Sequence, residues 1–228
     1  MSLLTDTDLS KRVKDKNGRE VDSLVIDPFD DGCLTPLGYD LRVGKTYTKS
    51  DIEDAEKNLN ADESISINPG TTALISTLEY IQMPENRSLT GLVESKASQV
   101  SKGLSHVSTT VDPDWEGRLL IAIHNHSSGT IDLEYGEPFC TIIFLQNTSP
   151  STRSSDKNPD RLDILLNQFG ARSKNALKRR KRNDVILPAI LFIFSVFGFS
   201  LFGNNPGFIA CVALGTAVSQ FAERRLLR

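Results

Sequence analysis

The sequence predicts a mainly β domain followed by a helical hairpin near the C-terminal end. Short runs of β-branched and apolar residues alternate with Gly, Pro, Asn and Asp through roughly the first 150 residues, a pattern typical of barrels and sandwiches. Residues 185–222 then form one stretch without a charged side chain. The chain has 228 residues, of which 39% are hydrophobic and 24% charged, so a disordered chain and a protein with many membrane spans are both excluded.

The distribution of charged residues divides the chain into two parts, and the positions of the cysteines exclude some classes of protein. From residue 174 onward there are nine Lys or Arg and two Asp or Glu, whereas residues 1–173, the body, carry 17 basic and 27 acidic side chains. An acidic body with a basic tail indicates two parts rather than one uniform domain. The three cysteines are far apart, which excludes a disulfide framework and a cysteine-rich zinc site and favours a reducing compartment.

The body is expected to begin with a short helix and to continue as strands. The helix is predicted over 7–14, and Thr5 or Asp6 is its expected cap. The strand-like runs are 23–26, 39–43, 64–67, 72–76, 89–93, 119–123 and 139–145. Residues 64–67 alternate polar and apolar, which indicates one buried face, whereas 139–145 is nearly all apolar, which indicates burial on both faces.

Two polar segments of the body are expected to lack strands. Residues 51–62 are rich in acidic side chains and predict a solvated loop or a short helix. Residues 149–159 are rich in Ser, Pro and Asp, which favours a surface connector. We therefore expect 149–173 to form an irregular arm that crosses the surface.

The uncharged stretch predicts a membrane-inserted helical hairpin. The turn-forming sequence GNNPG divides it into 185–202 and 208–222, and a spanning helix needs about 20 apolar residues, with about 17 as a minimum. Basic residues lie on both sides, in a linker at 174–184 and a tail at 223–228. Because short basic flanks stay in the cytoplasm, we expect the body and both hairpin ends on the cytoplasmic side of a membrane. A buried soluble hairpin is the alternative, which bulky residues all around the first segment disfavour.

Four motifs with characteristic residues follow one another through the body. The first is Gly-Tyr-Asp-Leu-Arg at 38–42, the second Val-Glu-Ser-Lys-Ala-Ser at 93–98, and the third Val-Asp-Pro-Asp-Trp-Glu-Gly at 111–117. Residues 136–144 occupy the place of the fourth, and Asn-Gln-Phe-Gly-Ala-Arg-Ser at 167–173 is similar to a C-terminal arm motif. Together, over about three quarters of the chain, they resemble the dCTP deaminase and dUTPase superfamily. The resemblance implies a distorted, dUTPase-like β-barrel and a homotrimer with active sites between subunits.

The resemblance also implies roles for individual side chains. Asp112 matches the carboxylate that activates water, and Trp115 matches the aromatic residue that packs on the deoxyribose. Lys96 and Ser98 are expected to meet phosphate oxygens, one with a charge and the other with a hydroxyl. Further implied substrate contacts are Asp40, Asn125, Gln168, Phe169, Arg172 and Ser173. The last three would close as a lid, and the triphosphate is expected to carry Mg²⁺ with no protein ligand assigned to the ion.

The third motif separates two possible reactions. By resemblance, a deaminase carries a general acid/base Glu ten residues after the Asp of this motif, and here that position is Ala122, which cannot move a proton. Ala122, together with Asp114 in an Asp-x-Asp pattern, is more similar to a dUTPase. We therefore expect hydrolysis of dUTP or dCTP to the monophosphate and pyrophosphate, and we do not expect deamination.

Three motif positions differ from the superfamily pattern and keep two other functions open. Ala97, Ser101 and Thr141 stand where the resemblance predicts Ser, Arg and Gln. Each charge-assisted phosphate contact that is lost costs about 1.5–3 kcal/mol. The alternatives are a weak or inactive nucleotide sensor whose output is the hairpin, and a trimeric membrane scaffold.

Other kinds of site are not expected. His124 and His126 share a strand face, but no third ligand lies near them in sequence, so we predict no metal site there. The sequence contains no Walker loop and no Gly-rich dinucleotide motif. The basic run at 178–182 is interpreted as the flank of the hairpin, so no nucleic acid partner is expected.

Overall fold

The computed structural model describes residues 2–14, 20–52, 56–106, 108–155, 161–203 and 205–226. Two compact units divide the chain, Met1–Ser173 and Lys174–Arg228. The first unit is mainly β, as predicted, and the described part of the second is helical apart from a turn.

The described residues include thirteen strands and four α-helices. The strands are β1 (Ser2–Leu3), β2 (Val25–Asp27), β3 (Leu34–Thr35), β4 (Gly38–Lys49), β5 (Lys57–Asn58), β6 (Ser64–Ile67), β7 (Thr72–Gln82), β8 (Leu89–Ser95), β9 (Leu104–His106), β10 (Thr109–Val111), β11 (Glu116–Asn125), β12 (Ile131–Glu134) and β13 (Pro138–Gln146). The helices are α1 (Asp6–Arg12), α2 (Ala97–Ser101), α3 (Arg161–Phe202) and α4 (Pro206–Leu226). Every predicted run overlaps a strand, and β6 has the predicted bounds. The predicted loop or short helix at 51–62 contains β5, and its residues 53–55 lie outside the described residues.

One antiparallel sheet brings the motifs together. Its main path runs β10-β8-β13-β4-β7-β11-β9, and β6 pairs with β12 in a separate two-stranded sheet. β13 lies between β8 and β4 and is hydrogen-bonded to both. The first motif is on β4, the second ends β8 and the fourth is on β13, so these three motifs are neighbours in space.

Burial along two strands tests the predicted patterns. In β6, Ile65 and Ile67 are buried and the two serines are exposed, which confirms one buried face. In β13, Ile142 and Phe144 are fully buried, whereas Ile143 is half-buried. The prediction for β13 is therefore right for one face and wrong for the other, which is only partly covered within one chain.

The N-terminal helix starts at a capping box. Thr5 is the N-cap, and both its backbone N–H and its hydroxyl donate to the Asp8 carboxylate, at 3.1 and 3.0 Å. This arrangement satisfies polar groups that a helix start leaves unpaired. The helix ends at Arg12, two residues before the predicted end, because Val13 adopts an extended conformation.

The first motif is packed too tightly to vary freely. A Cβ on Gly38 would lie 2.2 Å from the carbonyl oxygen of Ile142 on β13, so only glycine fits there. Tyr39 is fully buried. Arg42 donates from its backbone N–H and its Nε to the two oxygens of the Glu79 carboxylate, at 2.9 and 2.6 Å. Glu79 is fully buried, and burial raises its pKa above the usual value although Arg42 acts in the opposite direction.

The part of the predicted arm from residue 161 onward is helical, which corrects the prediction of an irregular arm there, while 156–160 lie outside the described residues. The basic linker, for which no secondary structure was predicted, is helical as well. α3 runs without interruption over Arg161–Phe202, so 161–173 is not irregular and 174–184 continues the same helix. Leu166 is fully buried, and it is spaced from Phe169 as apolar residues on one helix face are. This apolar spacing, rather than the polar composition of the preceding connector, determines the local structure.

The second unit is a closely packed antiparallel hairpin. Gly203, in the left-handed region with φ 54°, follows the last residue of α3, as the predicted turn requires. A Cβ on Gly198 would approach the Cβ of Cys211 to 2.6 Å, and one on Gly215 would approach the Cβ of Phe194 to 2.7 Å. The small residues therefore let the two helices come close together.

The predicted membrane span is not supported. Within the part of the chain that the structure describes, no helix is long and apolar enough to cross a membrane. The segment 185–202, predicted as a separate spanning helix, is instead the last part of α3, which begins among charged residues. Large apolar side chains of the hairpin are nevertheless exposed, among them Phe192, Phe197 and Ile209.

Candidate functional site

Asp112 and Trp115 lie on one turn between β10 and β11. The backbone N–H of Trp115 donates to the carbonyl oxygen of Asp112 at 3.0 Å, which closes this 112–115 turn. Asp112 is exposed. The indole of Trp115 packs against the core, and its Nε1–H donates to the carbonyl oxygen of Gly117 at 3.1 Å. The residues expected to activate water and to contact a deoxyribose are therefore carried by the same short element.

A polar cavity of about 150 Å³ lies beside the indole. Its lining residues are Gln82, Met83, Pro84, Glu85, Arg87, Asp114, Trp115 and Glu116. Sites for drug-sized ligands usually enclose roughly 300–1,000 Å³. The cavity formed by one chain can therefore hold only part of a nucleotide.

A second group of predicted residues meets where β4, β8 and β13 are neighbours. The ammonium of Lys96, directly after β8, binds the carboxylate of Asp40 on β4. Thr141 Oγ1 on β13 donates to the same carboxylate at 2.6 Å. The Asp40 side chain is 10% exposed, whereas the Lys96 side chain is 23% exposed. The Lys96 ammonium is thus a partly exposed cation, and its ion pair with the buried Asp40 carboxylate fixes its position.

Helix α2 carries Ser98 next to Lys96. Ser98 is exposed, and its carbonyl oxygen accepts a hydrogen bond from Ser101 Oγ at 2.9 Å. Gln99 is buried, and its Nε2 donates to Glu137 Oε1 at 3.0 Å, which ties the helix to the turn before β13. The phosphate contact of Ser98 stays a prediction, while Ser101, where the resemblance predicts Arg, bonds within its own helix.

Asn125 is not a surface residue, which corrects its prediction as a substrate contact. It is fully buried at the end of β11, and its Nδ2 donates to the carbonyl oxygens of Ile67 and Gly129, both at 2.8 Å. Its Oδ1 accepts from the N–H and the Oγ of Ser127, at 2.8 and 2.7 Å. All four bonds are internal, so Asn125 shapes the turn after β11 instead of binding a ligand.

The arm residues lie on the first turns of α3. Gln168 and Arg172 are exposed on one side of the helix, Phe169 is half-buried and Ser173 is buried. Among the described residues, no hydrogen bond or ion pair joins them to Lys96 or to the 112–115 turn. The structure thus brings together Lys96 with Asp40 and Asp112 with Trp115, and none of these bonds includes Gln168, Phe169, Arg172 or Ser173.

A serine–histidine pair beside Lys96 was not predicted. His106 Nε2 lies 3.0 Å from the carbonyl oxygen of Val93, which can only accept, so Nε2 carries the proton. Nδ1 of the same ring is hydrogen-bonded to Ser95 Oγ at 2.6 Å. The pair joins β8 to β9, and no local sequence spacing indicates it.

The candidate metal ligands of the described residues are dispersed. The described residues include no group of three or more His, Cys, Asp or Glu side chains that could hold one. The rings of His124 and His126 are 4.3 Å apart between centroids. Each ring is bonded to a hydroxyl instead, His124 to Thr72 at 2.9 Å and His126 to Ser105 at 2.7 Å.

Two relatives have sequences that align with most of the body. The chain is 34% identical over 160 residues to a protein of Thermococcus kodakarensis named dCTP deaminase, which covers 70% of this chain and 93% of that one. It is 30% identical over 172 residues to a protein of Methanothermobacter thermautotrophicus named dCTP deaminase, dUMP-forming, which covers 67% of this chain and 83% of that one.

A solved structure has a similar fold, and a family match covers most of the body. The crystal structure of 2′-deoxycytidine 5′-triphosphate deaminase from Agrobacterium tumefaciens superposes with a TM-score of 0.52 at 14% identity, over 64% of this chain and 48% of that one, and so is evidence for the fold alone. Residues 3–147, which contain all four motifs, match the family described as dCTP deaminase-like. The protein therefore belongs to the dCTP deaminase-like family.

Proposed function

We propose that this protein hydrolyses a deoxypyrimidine nucleoside triphosphate, dUTP or dCTP, to the monophosphate and pyrophosphate. The observation that carries the proposal is the 112–115 turn, where an exposed carboxylate and a half-buried indole lie three residues apart and the indole lines a polar cavity. The names of the two relatives support the substrate class.

In the proposed reaction, Asp112 orients a water molecule and accepts its proton. The water oxygen attacks the α-phosphorus, the bond from that phosphorus to the bridging oxygen breaks, and pyrophosphate leaves with the bridging oxygen. Lys96 and Ser98 contact phosphate oxygens with a charge and a hydroxyl. The indole of Trp115 packs on the deoxyribose, where a flat apolar face leaves no room for a 2′-hydroxyl.

Hydrolysis without deamination follows from one side chain of β11. Removal of the cytosine amine needs a group that moves protons to the leaving nitrogen. Ala122, half-buried and paired in register with Leu74, offers a methyl group where the resemblance puts a deaminase Glu. We therefore propose that dCTP gives dCMP and dUTP gives dUMP.

The proposed substrate is the Mg²⁺ complex of the triphosphate, and the proposed assembly is a homotrimer. Mg²⁺ enters as part of the substrate because the described residues offer no cluster that would hold a resident ion. The trimer is supported by the size of the cavity beside Trp115, which is too small for a whole nucleotide unless another subunit extends it.

The test measures pyrophosphate and ammonia separately, using the purified full chain with Mg²⁺ and dUTP or dCTP. We expect Asp112→Asn to lower pyrophosphate release by about 100-fold or more, as for loss of a general base. Asp62→Asn, which removes another exposed carboxylate on the loop before β6, is the matched control and should keep the wild-type rate. Ammonia from dCTP, or pyrophosphate release that is insensitive to Asp112→Asn, contradicts the proposal.

Nucleotide binding without turnover is the second candidate function. The ion pair between Lys96 and Asp40 favours it, because the pair partly neutralises the cation expected to meet the phosphates. Micromolar binding in calorimetry without pyrophosphate release identifies this function, and absence of binding to dUTP and dCTP removes it.

A further inference from the structure

We propose that Arg87 and Asp114 form a clasp that fastens residues 151–155, called the strap here, to the 112–115 turn. In this role the two side chains are positioning residues, because they hold the start of the arm at the turn that carries Asp112 and Trp115. The fastening is independent of the reaction, whereas its effect on catalysis rests on the proposed function.

Arg87 holds the first part of the strap. Its Nη1 donates to the carbonyl oxygens of Ser151 at 3.4 Å and Arg153 at 3.1 Å, and its Nη2 donates to Ser154 Oγ at 3.0 Å. A guanidinium presents its donors in a fixed planar fork, so one side chain can bind several acceptors of an irregular segment. The donors of the Arg87 guanidinium therefore hold the strap at three of its residues.

Asp114 holds the last residue of the strap. Its two carboxylate oxygens accept from the N–H of Ser155 at 3.3 and 3.0 Å, and Oδ1 also accepts from the Ser155 hydroxyl at 2.7 Å. Asp114 Oδ2 lies 3.8 Å from Arg87 Nη2, which joins the two halves of the clasp. The Asp114 side chain is only 5% exposed, and a buried carboxylate is costly unless such donors satisfy it.

The backbone of Arg87 has an uncommon conformation, and the side chain of this residue contacts the strap. Arg87 has φ 53°, in the left-handed region that few residues other than glycine adopt. Its carbonyl oxygen accepts from Asn147 Nδ2 at 3.0 Å, and the N–H of Asn147 donates to the carbonyl oxygen of Ser88 at 2.7 Å. A residue keeps a strained backbone conformation only where its surroundings enforce it. Here Asn147, which directly follows β13 and precedes the strap, makes the hydrogen bonds that hold the backbone of Arg87 and Ser88.

The clasp joins two elements that the proposed reaction needs together. Asp114 lies inside the turn, between Asp112 and Trp115, and Arg87 and Asp114 both line the cavity beside the indole. The strap leads from β13 towards α3, whose first turns carry the arm residues at 167–173. Fixing the start of the arm at the turn raises the local concentration of the arm at the site, as a short tether does.

Trypsin provides a direct test because Arg153 is a cleavage site inside the strap. Cleavage there depends on the fraction of molecules in which the strap is detached. We expect Asp114→Ala and Arg87→Ala each to speed cleavage after Arg153 roughly tenfold, measured against cleavage in the basic run 178–182 of the same full chain. Unchanged cleavage in both variants overturns the clasp.

Matched variants separate fastening from general loss of stability. Lys102→Ala removes an exposed cation paired with Glu137 at 3.5 Å, away from the strap, and should leave cleavage after Arg153 unchanged. Asp114→Asn keeps an oxygen that can accept from Ser155 and should restore part of the protection, even if Asp114→Ala fails to fold. Faster cleavage in Lys102→Ala, or no rescue by Asp114→Asn, contradicts the proposed geometry.

A double-mutant cycle tests the positioning role. We expect Asp114→Ala to lower kcat roughly tenfold, and to have little further effect once Arg172→Ala has disabled the arm. Independent losses in the double variant, or an unchanged kcat in Asp114→Ala, overturn this role. If the wild type hydrolyses neither nucleotide, the proposed function fails while the cleavage experiment still decides whether the clasp exists.

Discussion

The N–H of Trp115 donates a 3.0 Å hydrogen bond to the carbonyl oxygen of Asp112, which fixes the candidate base and the indole on one turn. The indole is oriented as well, because its Nε1–H is bonded to the carbonyl oxygen of Gly117. Since the chain contains a single tryptophan, every change in indole fluorescence reports on this turn.

Nucleotide binding is therefore expected to change the fluorescence of Trp115. A deoxyribose packed on the indole replaces water at its face, which alters the emission. The measurement is a titration with a dUTP analogue whose α,β-bridging oxygen is replaced by NH, and the matching UTP analogue is the control, expected to give a weaker response. Calorimetric binding of the deoxynucleotide without any change in emission would place the ligand away from Trp115.

Lys96→Ala is expected to weaken binding of the same analogue roughly ten- to a hundredfold, as loss of a charge-assisted phosphate contact does. The control is Lys102→Ala, which removes another partly exposed cation of the same chain segment and should leave Kd unchanged. Calorimetry at two salt concentrations gives both values, and the effect should shrink at high salt because screening weakens it. Equal losses in the two variants would indicate a general charge effect.

Part of the fold is predictable because its signals are local. Alternation at 64–67 marks one buried face, and Thr5 is followed three residues later by Asp8, so the start of α1 can be located from neighbouring residues. The 112–115 turn is equally local, since Asp112 and Trp115 need no distant residue to share it. The partnership of Lys96 with Asp40 could be expected only once their strands were known to be neighbours.

Other features depend on partners that are distant in sequence. Arg87 meets the strap across more than sixty intervening residues, and no periodicity of the chain indicates that contact. The role of Asn125 depends on Ile67, which lies on another strand. The helical part of the arm has a local signal, the apolar spacing of Leu166 and Phe169, but the polar composition of the preceding connector led to the prediction of an irregular arm.

Asn125→Ala is expected to lower the free energy of unfolding by about 2–4 kcal/mol, since one buried and three partly buried hydrogen bonds of its side chain are lost and several partners remain unsatisfied. Urea denaturation measures this value. Ser128→Ala, at an exposed position in the following loop, is the control and should change the free energy by less than about 0.5 kcal/mol. A loss below about 1 kcal/mol in Asn125→Ala would show that its bonds are easily replaced by water.

Gly38→Ala is expected to destabilise the first motif by at least about 2 kcal/mol, because the added methyl group would lie 2.2 Å from the carbonyl oxygen of Ile142 and the two strands must separate. Gly129→Ala offers a matched control, since a Cβ there meets no atom within 4 Å. Thermal unfolding of both variants decides the comparison. Similar unfolding temperatures for the two would mean that β4 and β13 can shift apart without cost.

The buried carboxylate of Glu79 is expected to make stability depend on pH in a characteristic direction. Burial raises the pKa of Glu79, and the bonds from Arg42 only partly oppose this, so the folded chain holds the proton more tightly than the unfolded chain does. The resulting stabilisation is complete below the unfolded pKa of about 4.3 and is lost as the pH rises through the folded pKa. The difference in unfolding free energy between the wild type and Glu79→Gln should therefore decrease as the pH rises from about 4.

Glu63 provides a comparison with the opposite sign for this last prediction. Its pKa is lowered because the backbone N–H and side chain of Asn60 donate to the carboxylate, so its contribution is present at neutral pH and is lost as the pH falls. Urea denaturation of the wild type, Glu79→Gln and Glu63→Gln between about pH 3 and pH 7 separates the two trends, because the Glu63 contribution is lost only below the unfolded pKa of about 4.3. A difference for Glu79→Gln that is constant or grows with pH would mean that Arg42 outweighs burial, and that the pair is held as two charges down to acidic pH.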